Sequence, residues 1–77
     1  MKRVDLTTLY AICGDPSSHI LEALSTTPVG ERIEVLYRRG DEAVEESLKL
    51  LEESGIGRIE SRSCNDVKCR AIIVRTG

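Results

Sequence analysis

Two helix-forming segments, each apolar along one side only, most constrain how this chain can fold. In the first segment, apolar residues recur at helical spacing at Ile20, Leu21, Ala23 and Leu24. In the second, the same spacing produces a stripe of Ala43, Val44, Ser47, Leu48, Leu50 and Leu51. An amphipathic helix is stable in a protein only when its apolar stripe is buried, so each segment needs a second layer to pack against.

Four other segments are predicted to be strands, and they supply that layer. Residues 32–37 alternate strictly, with one face formed by Ile33, Val35 and Tyr37 and the other by Arg32, Glu34 and Leu36. Residues 4–10 are predicted to form a first strand with Val4 and Leu6 directed inward. Residues 58–63 and 70–75 are predicted to be two strands joined by a short connection, and hence a hairpin.

Capping residues mark the ends of both helices. Asp15 is predicted to be the N-cap of the first helix and Pro16 its first residue, where the missing N–H costs nothing. Asp41 is predicted to cap the second helix, and Gly55 is predicted to end it in a left-handed conformation.

The order strand-helix-strand-helix-strand-strand predicts a two-layer α/β sandwich. Two helices can cover only one face of a mixed four-stranded sheet, so the other face is left open. That open face is expected to carry Glu34, Arg58, Glu60, Arg62 and Arg75. A length of 77 residues allows one domain, which we place over residues 1–77.

The composition and charge argue against two classes of function, the binding of nucleic acid and the crossing of a membrane. The net charge is −2 and only two residues are aromatic, so we expect no direct binding of nucleic acid. No apolar run approaches the roughly 20 residues that span a bilayer, and the polar residues after Met1-Lys2-Arg3 lead us to expect no signal peptide. We therefore expect a cytoplasmic protein without membrane contact. An exposed edge strand and a small core are compatible with a homodimer, which the sequence leaves open.

Cys13 is the residue with the clearest capacity for chemistry. It lies two residues before the predicted N-cap, where backbone N–H groups and the helix dipole favour a thiolate over a thiol. Gly14 follows it and lets other molecules approach the sulfur closely. A small buried apolar residue at the end of a strand is the competing interpretation, and position alone does not decide between the two.

The stretch around Cys13 resembles the TusA/SirA-like family of small sulfur carriers, whose first helix begins with a Cys-Pro-x-Pro motif. Here the stretch is Cys13-Gly14-Asp15-Pro16, which keeps the cysteine and the second proline and has glycine in place of the first. The run Gly30-Glu31-Arg32-Ile33-Glu34-Val35 is similar to the family's second strand, and residues 70–75 are similar to its last. The family's aspartate about six residues before the cysteine and its acidic Asp-Pro segment after the second strand have no counterpart.

The resemblance implies a sulfur carrier with sulfurtransferase-type chemistry and no cofactor. Cys13 would take a sulfane sulfur from a donor protein, hold it as a persulfide and pass it to an acceptor protein. Gly14, Asp15 and Pro16 would form the loop and helix N-terminus that support the site. In the family, donors are cysteine desulfurases or rhodanese-like proteins, and acceptors serve tRNA thiolation or sulfur metabolism. The altered motif also fits a second hypothesis, a binding or regulatory module with this fold that does not transfer sulfur.

Cys64 and Cys69 bracket the tip of the predicted hairpin and have three interpretations. If they face each other on neighbouring strands, they would form a structural disulfide that raises the free energy of unfolding by about 2 kcal/mol. A redox pair that exchanges with Cys13 and two unpaired thiols are the alternatives. The three cysteines and His19 also add up to four zinc ligands. Their spacing argues against zinc, since His19 has no second ligand one helical turn away, so we expect no metal.

Overall fold

The chain folds into one mixed sheet with two helices on one side. The computed structural model describes residues 2–7 and 16–77. Its elements are β1 (Lys2–Asp5), α1 (Pro16–Ser25), β2 (Arg32–Arg38), α2 (Glu42–Ser54), β3 (Gly57–Cys64) and β4 (Lys68–Arg75). The sheet order is β1-β2-β4-β3, with β1 parallel to β2 and the other two pairs antiparallel. The predicted two-layer α/β sandwich with a mixed four-stranded sheet is confirmed.

The core lies between the helices and one face of the sheet. The helical residues of the core cluster are Ile20, Ala23 and Leu24 of α1 and Val44, Leu48 and Leu51 of α2. The buried sheet residues facing them include Val4, Ile33, Val35, Tyr37, Cys69, Ala71 and Ile73. Leu21 and Leu50 are exposed at the outer margins of the helical stripes, although the spacing placed them inside. The described part of the core is therefore mainly aliphatic and includes Tyr37.

The helix ends follow the capping chemistry of the sequence. Pro16 is the first residue of α1, and Asp15 lies outside the described residues. The Asp41 side chain accepts a hydrogen bond from the backbone N–H of Val44, as an N-cap does. Gly55 has a φ of 79° and its N–H donates to the Glu52 carbonyl, which ends α2. Neither described helix combines the length and apolar character that crossing a membrane requires.

β1 is shorter than predicted. It ends at Asp5, whose carboxylate accepts hydrogen bonds from the backbone N–H and the hydroxyl of Thr7. This local turn satisfies backbone groups that a longer strand would have paired in the sheet. Val4 and Leu6 are both buried, as predicted. Residues 8–10, the rest of the predicted strand, lie outside the described part of the chain.

A β-bulge in β3 moves Arg62 to the opposite face from the one predicted. The pairing of β3 with β4 shifts between Ile59 and Ser61, which leaves Glu60 as the extra residue. Beyond the bulge, Arg62 pairs with fully buried Ala71 on the helix-covered side and binds Glu45 of α2. The expectation that Arg62 lies on the open face was therefore wrong. Alternation assigns successive strand residues to opposite faces of the sheet, so one inserted residue reverses the assignment of every residue after it.

Arg75 also lies on the helix side, contrary to the prediction. Its Nη1 donates to the carbonyls of Leu24, Ser25 and Thr27 at 3.1, 3.2 and 2.7 Å. These carbonyls lie at or just beyond the C-terminus of α1, where a helix leaves its last carbonyls unpaired and its dipole attracts a cation. The guanidinium thus caps the C-terminus of α1 and links it to β4.

Candidate functional site

The predicted sulfur-bearing loop connects β1 to α1. Cys13, Gly14 and Asp15 lie outside the described residues, and Thr7 and Pro16 are the described residues on either side. Pro16 is buried and begins α1, the position that the motif assigns to it. The structure thus defines the two elements between which this loop runs.

Hydrogen bonds and burial fix the β1 end of the loop. The Leu6 N–H donates to the Leu36 carbonyl at 2.8 Å, and the Leu6 side chain is fully buried. Hydrogen bonds from Thr7 hold the pKa of the Asp5 carboxyl below its usual value. Because β1 and β2 are parallel, the loop leaves the sheet at the end where the C-terminus of β2 also lies.

The α1 end of the loop is the N-terminus of a ten-residue helix. The first turn of α1 contains no acidic residue. The positive end of the helix dipole is therefore not offset by a carboxylate within the turn. An anion placed beside such a helix end is stabilised.

Cys64 and Cys69 form a disulfide at the tip of the β3–β4 hairpin. The two residues pair directly across the strands, with their Cα atoms 4.0 Å apart. Cys69 is buried and Cys64 is exposed. Because the chain has three cysteines, Cys13 is the one that this bond does not include.

The hairpin tip is also held by the turn after β2. The Arg39 N–H donates to the Val67 carbonyl at 2.9 Å, and its guanidinium donates to the Asn65 carbonyl at 3.3 Å. The Asn65 side-chain oxygen accepts from the N–H groups of Val67 and Lys68 at 2.8 and 2.7 Å. The disulfide therefore lies in a tip that is ordered by its own hydrogen bonds.

Tyr37 lies next to the disulfide-bonded Cys69 in the sheet and makes a polar network that the sequence analysis missed. Its buried hydroxyl donates to one oxygen of Glu45 at 2.8 Å, and Arg62 binds the other oxygen at 3.1 Å. Burial, and next the hydrogen bond to Glu45, raise the pKa of Tyr37 to about 12. Only the bulge in β3 brings Arg62 to this side, so alternation alone could not indicate the network.

The free energy of unfolding is expected to fall as the pH rises from about 10 to about 12. Below pH 10, tyrosine is protonated in both states and the contribution of Tyr37 is complete. Above it, the unfolded chain loses this proton while the folded chain keeps it up to about pH 12, which favours unfolding. Urea unfolding across this range measures the decline. The Tyr37→Phe variant should lack this component, and an identical decline in both proteins would contradict the assignment.

The metal-ligating side chains do not converge in the described part of the chain. Among residues 2–7 and 16–77, no group of three or more such side chains could hold a metal ion. His19 lies on α1 beside a shallow hollow that it shares with Lys2 and Glu22. The sulfurs of Cys64 and Cys69 are bonded to each other.

Comparisons with known proteins give no match: no protein-family model, no curated protein and no solved structure matches this chain.

Proposed function

We propose that this protein is a small sulfur carrier of the TusA-like kind that relays sulfane sulfur as a persulfide on Cys13. The observation that carries the proposal is the β-α-β-α-β-β sandwich in which the Cys-x-x-Pro stretch leads directly into the first helix at Pro16. This is the fold that the resemblance to the family implies. The proposed partners are a donor, either a cysteine desulfurase or a rhodanese-like protein, and an acceptor protein.

The proposed transfer consists of two nucleophilic displacements at sulfur. In the first, the Cys13 thiolate attacks the outer sulfur of a donor persulfide, the donor's S–S bond breaks, and the donor leaves as a thiolate. In the second, a nucleophile on the acceptor attacks the outer sulfur of the Cys13 persulfide, and Cys13 leaves as a thiolate. The sulfane sulfur keeps its oxidation state throughout, so the cycle needs no external oxidant, reductant or cofactor.

The start of α1 supports this chemistry electrostatically. Thiolate and persulfide are both anions, and Cys13 is only three residues before the first residue of α1 in sequence. The dipole of a helix N-terminus favours the charged form of a nearby thiol and lowers its pKa, and the Asp15 carboxylate next to Pro16 in sequence reduces this effect.

The hairpin disulfide supports a relay that uses a single thiol. A pair of free thiols could attack a persulfide, form a disulfide and release the carried sulfur as hydrogen sulfide. With Cys64 and Cys69 already bonded to each other, these residues cannot discharge Cys13 in that way. A persulfide on Cys13 would then persist until an acceptor arrives.

The reactivity of Cys13 distinguishes a carrier from a binding or regulatory module with the same fold. A carrier needs a thiolate at neutral pH, so we expect alkylation by iodoacetamide to show an apparent Cys13 pKa below the ordinary value of about 8.5. Intact mass after timed reactions over a pH series measures the rate. The urea-unfolded protein with its disulfide intact is the matched control. An equal pKa in both states, or a folded protein that does not react, would contradict the carrier function.

A further inference from the structure

The charges of this chain are divided between its two sides. The open face of the sheet carries six basic residues: Arg3, Arg32, Arg38, Arg58, Lys68 and Arg70. It carries three acidic residues: Asp5, Glu34 and Glu60. The two helices on the other side contain six glutamates and one lysine. A chain with a net charge of −2 therefore presents a positive sheet face and a negative helix face.

Arginines already bind carboxylates on this open face. Glu34 is only 8% exposed and lies between two arginines, accepting from Nε of Arg3 at 2.6 Å and from Nε of Arg70. Both hydrogen bonds hold the pKa of the Glu34 carboxyl below its usual value. A carboxylate held by arginines from neighbouring strands shows which anion this surface accommodates.

Three cations of the face form no ion pair of this kind in the described part of the chain. Arg38, Arg58 and Lys68 are exposed, and no ion pair involves them among residues 2–7 and 16–77. Arg38 and Lys68 are directly paired across β2 and β4, so two positive charges lie side by side there. These side chains are the ones most available to an external anion.

The open face offers charged rather than apolar contacts. Ile72 and Val74 belong to it but are only 7% and 8% exposed. We attribute this burial to the stems of the long charged side chains that surround them. The large hydrophobic residues that the described chain does expose are Leu21, Val29, Leu50 and Val67, which lie in helices or turns. A partner at the sheet would meet guanidinium and ammonium groups.

We propose that the open face of the sheet is a docking surface for an acidic protein segment rich in glutamate and aspartate. The face has three more positive than negative charges, and the planar fork of arginine matches a carboxylate. The acidic helices repel such a segment from the other side, which orients the encounter. No aromatic ring belongs to the described part of this face, so it has no platform for stacking nucleic-acid bases. The proposal does not depend on the chemistry of Cys13.

Binding of a labelled glutamate-rich peptide to the full chain tests this proposal. We expect saturable binding by fluorescence anisotropy at low ionic strength, weakened steeply by salt. The same peptide with glutamine in place of glutamate is expected not to bind. Amide chemical shifts in NMR spectra are expected to change in the strands and not in the helices. Absence of binding, or shifts confined to the helices, would overturn the proposal.

A pair of matched substitutions distinguishes an effect of the open face on peptide binding from an effect of the net charge of the protein. Arg58→Glu on the open face and Lys49→Glu on α2 change the net charge equally, and both residues are exposed. We expect Arg58→Glu to weaken peptide binding about fivefold or more and Lys49→Glu to change it less than about twofold. Equal weakening by both would overturn the proposal. Tighter binding of a labelled oligouridylate of the same charge, with the same shifts, would assign the face to nucleic acid instead.

Discussion

Replacing Leu24 with alanine is expected to lower the free energy of unfolding by about 3 kcal/mol. Leu24 is fully buried, and its Cδ1 lies 3.3 Å from the position that a Cβ would occupy at Gly57 of β3. The helix therefore packs directly against strand backbone at a point where the strand has no side chain. The hydrogen-bonded sheet backbone cannot move in to fill the cavity left by Leu24→Ala. The free energy of unfolding of a domain of this size is only a few kcal/mol in total. The variant should therefore be largely unfolded well below the parent's Tm.

Leu21→Ala is the matched control for this prediction. It removes the same atoms from the same helix, but Leu21 is 41% exposed. We expect it to cost less than about 1 kcal/mol. Urea unfolding followed by circular dichroism measures both variants. Equal losses would show that α1 does not pack against the sheet through Leu24.

Local sequence signals predicted the elements of the fold well. Helical spacing, the strict alternation of residues 32–37, the Asp41 cap and Gly55 each depend on neighbours within a few positions. Such signals operate before any tertiary contact forms, which is why they can be recognised in one sequence. The two-layer arrangement followed because two helices have only one sheet face to cover.

The two residues assigned to the wrong face of the sheet, Arg62 and Arg75, owe their positions to pairing and contacts beyond their own strand. The bulge in β3 depends on how β3 meets β4, and it moved Arg62 to the helix side. Arg75 lies on the helix side because it meets the end of α1 about 50 residues earlier. The burial of Glu34 between Arg3 and Arg70 likewise depends on the strand order β1-β2-β4, which alternation does not reveal.

The same distinction applies to the candidate site, whose local features could be predicted from the sequence and whose long-range features could not. Sequence alone singled out Cys13 and the proline that begins α1, because a nucleophile and a helix start are local features. Sequence left the state of Cys64 and Cys69 open, since a disulfide needs a register that only the folded hairpin defines. The positive charge of the open face depends on which strand residues share that face, and the pairing of the strands and the bulge in β3 decide this.

Loss of persulfide loading in Cys13→Ser is the second large effect that we expect, and it is all or none. Cys13 is the one cysteine outside the hairpin disulfide, so no other sulfur can act as a free nucleophile while that bond is intact. Serine is nearly isosteric but is not ionised at neutral pH, so it cannot attack a sulfane sulfur unaided. Folding should be preserved, which circular dichroism checks. The Cys64→Ser/Cys69→Ser variant is the complementary control and should still load.

The most direct measurement is the intact mass of the protein after incubation with polysulfide, followed by removal of excess reagent. We expect a gain of about 32 Da, the mass of one sulfur, in the parent and in Cys64→Ser/Cys69→Ser, and no gain in Cys13→Ser. Cyanide, which accepts sulfane sulfur, should then return the loaded protein to its original mass. No adduct on the parent, or an adduct that persists in Cys13→Ser and maps to Cys64 or Cys69, would contradict the proposal that Cys13 carries sulfur.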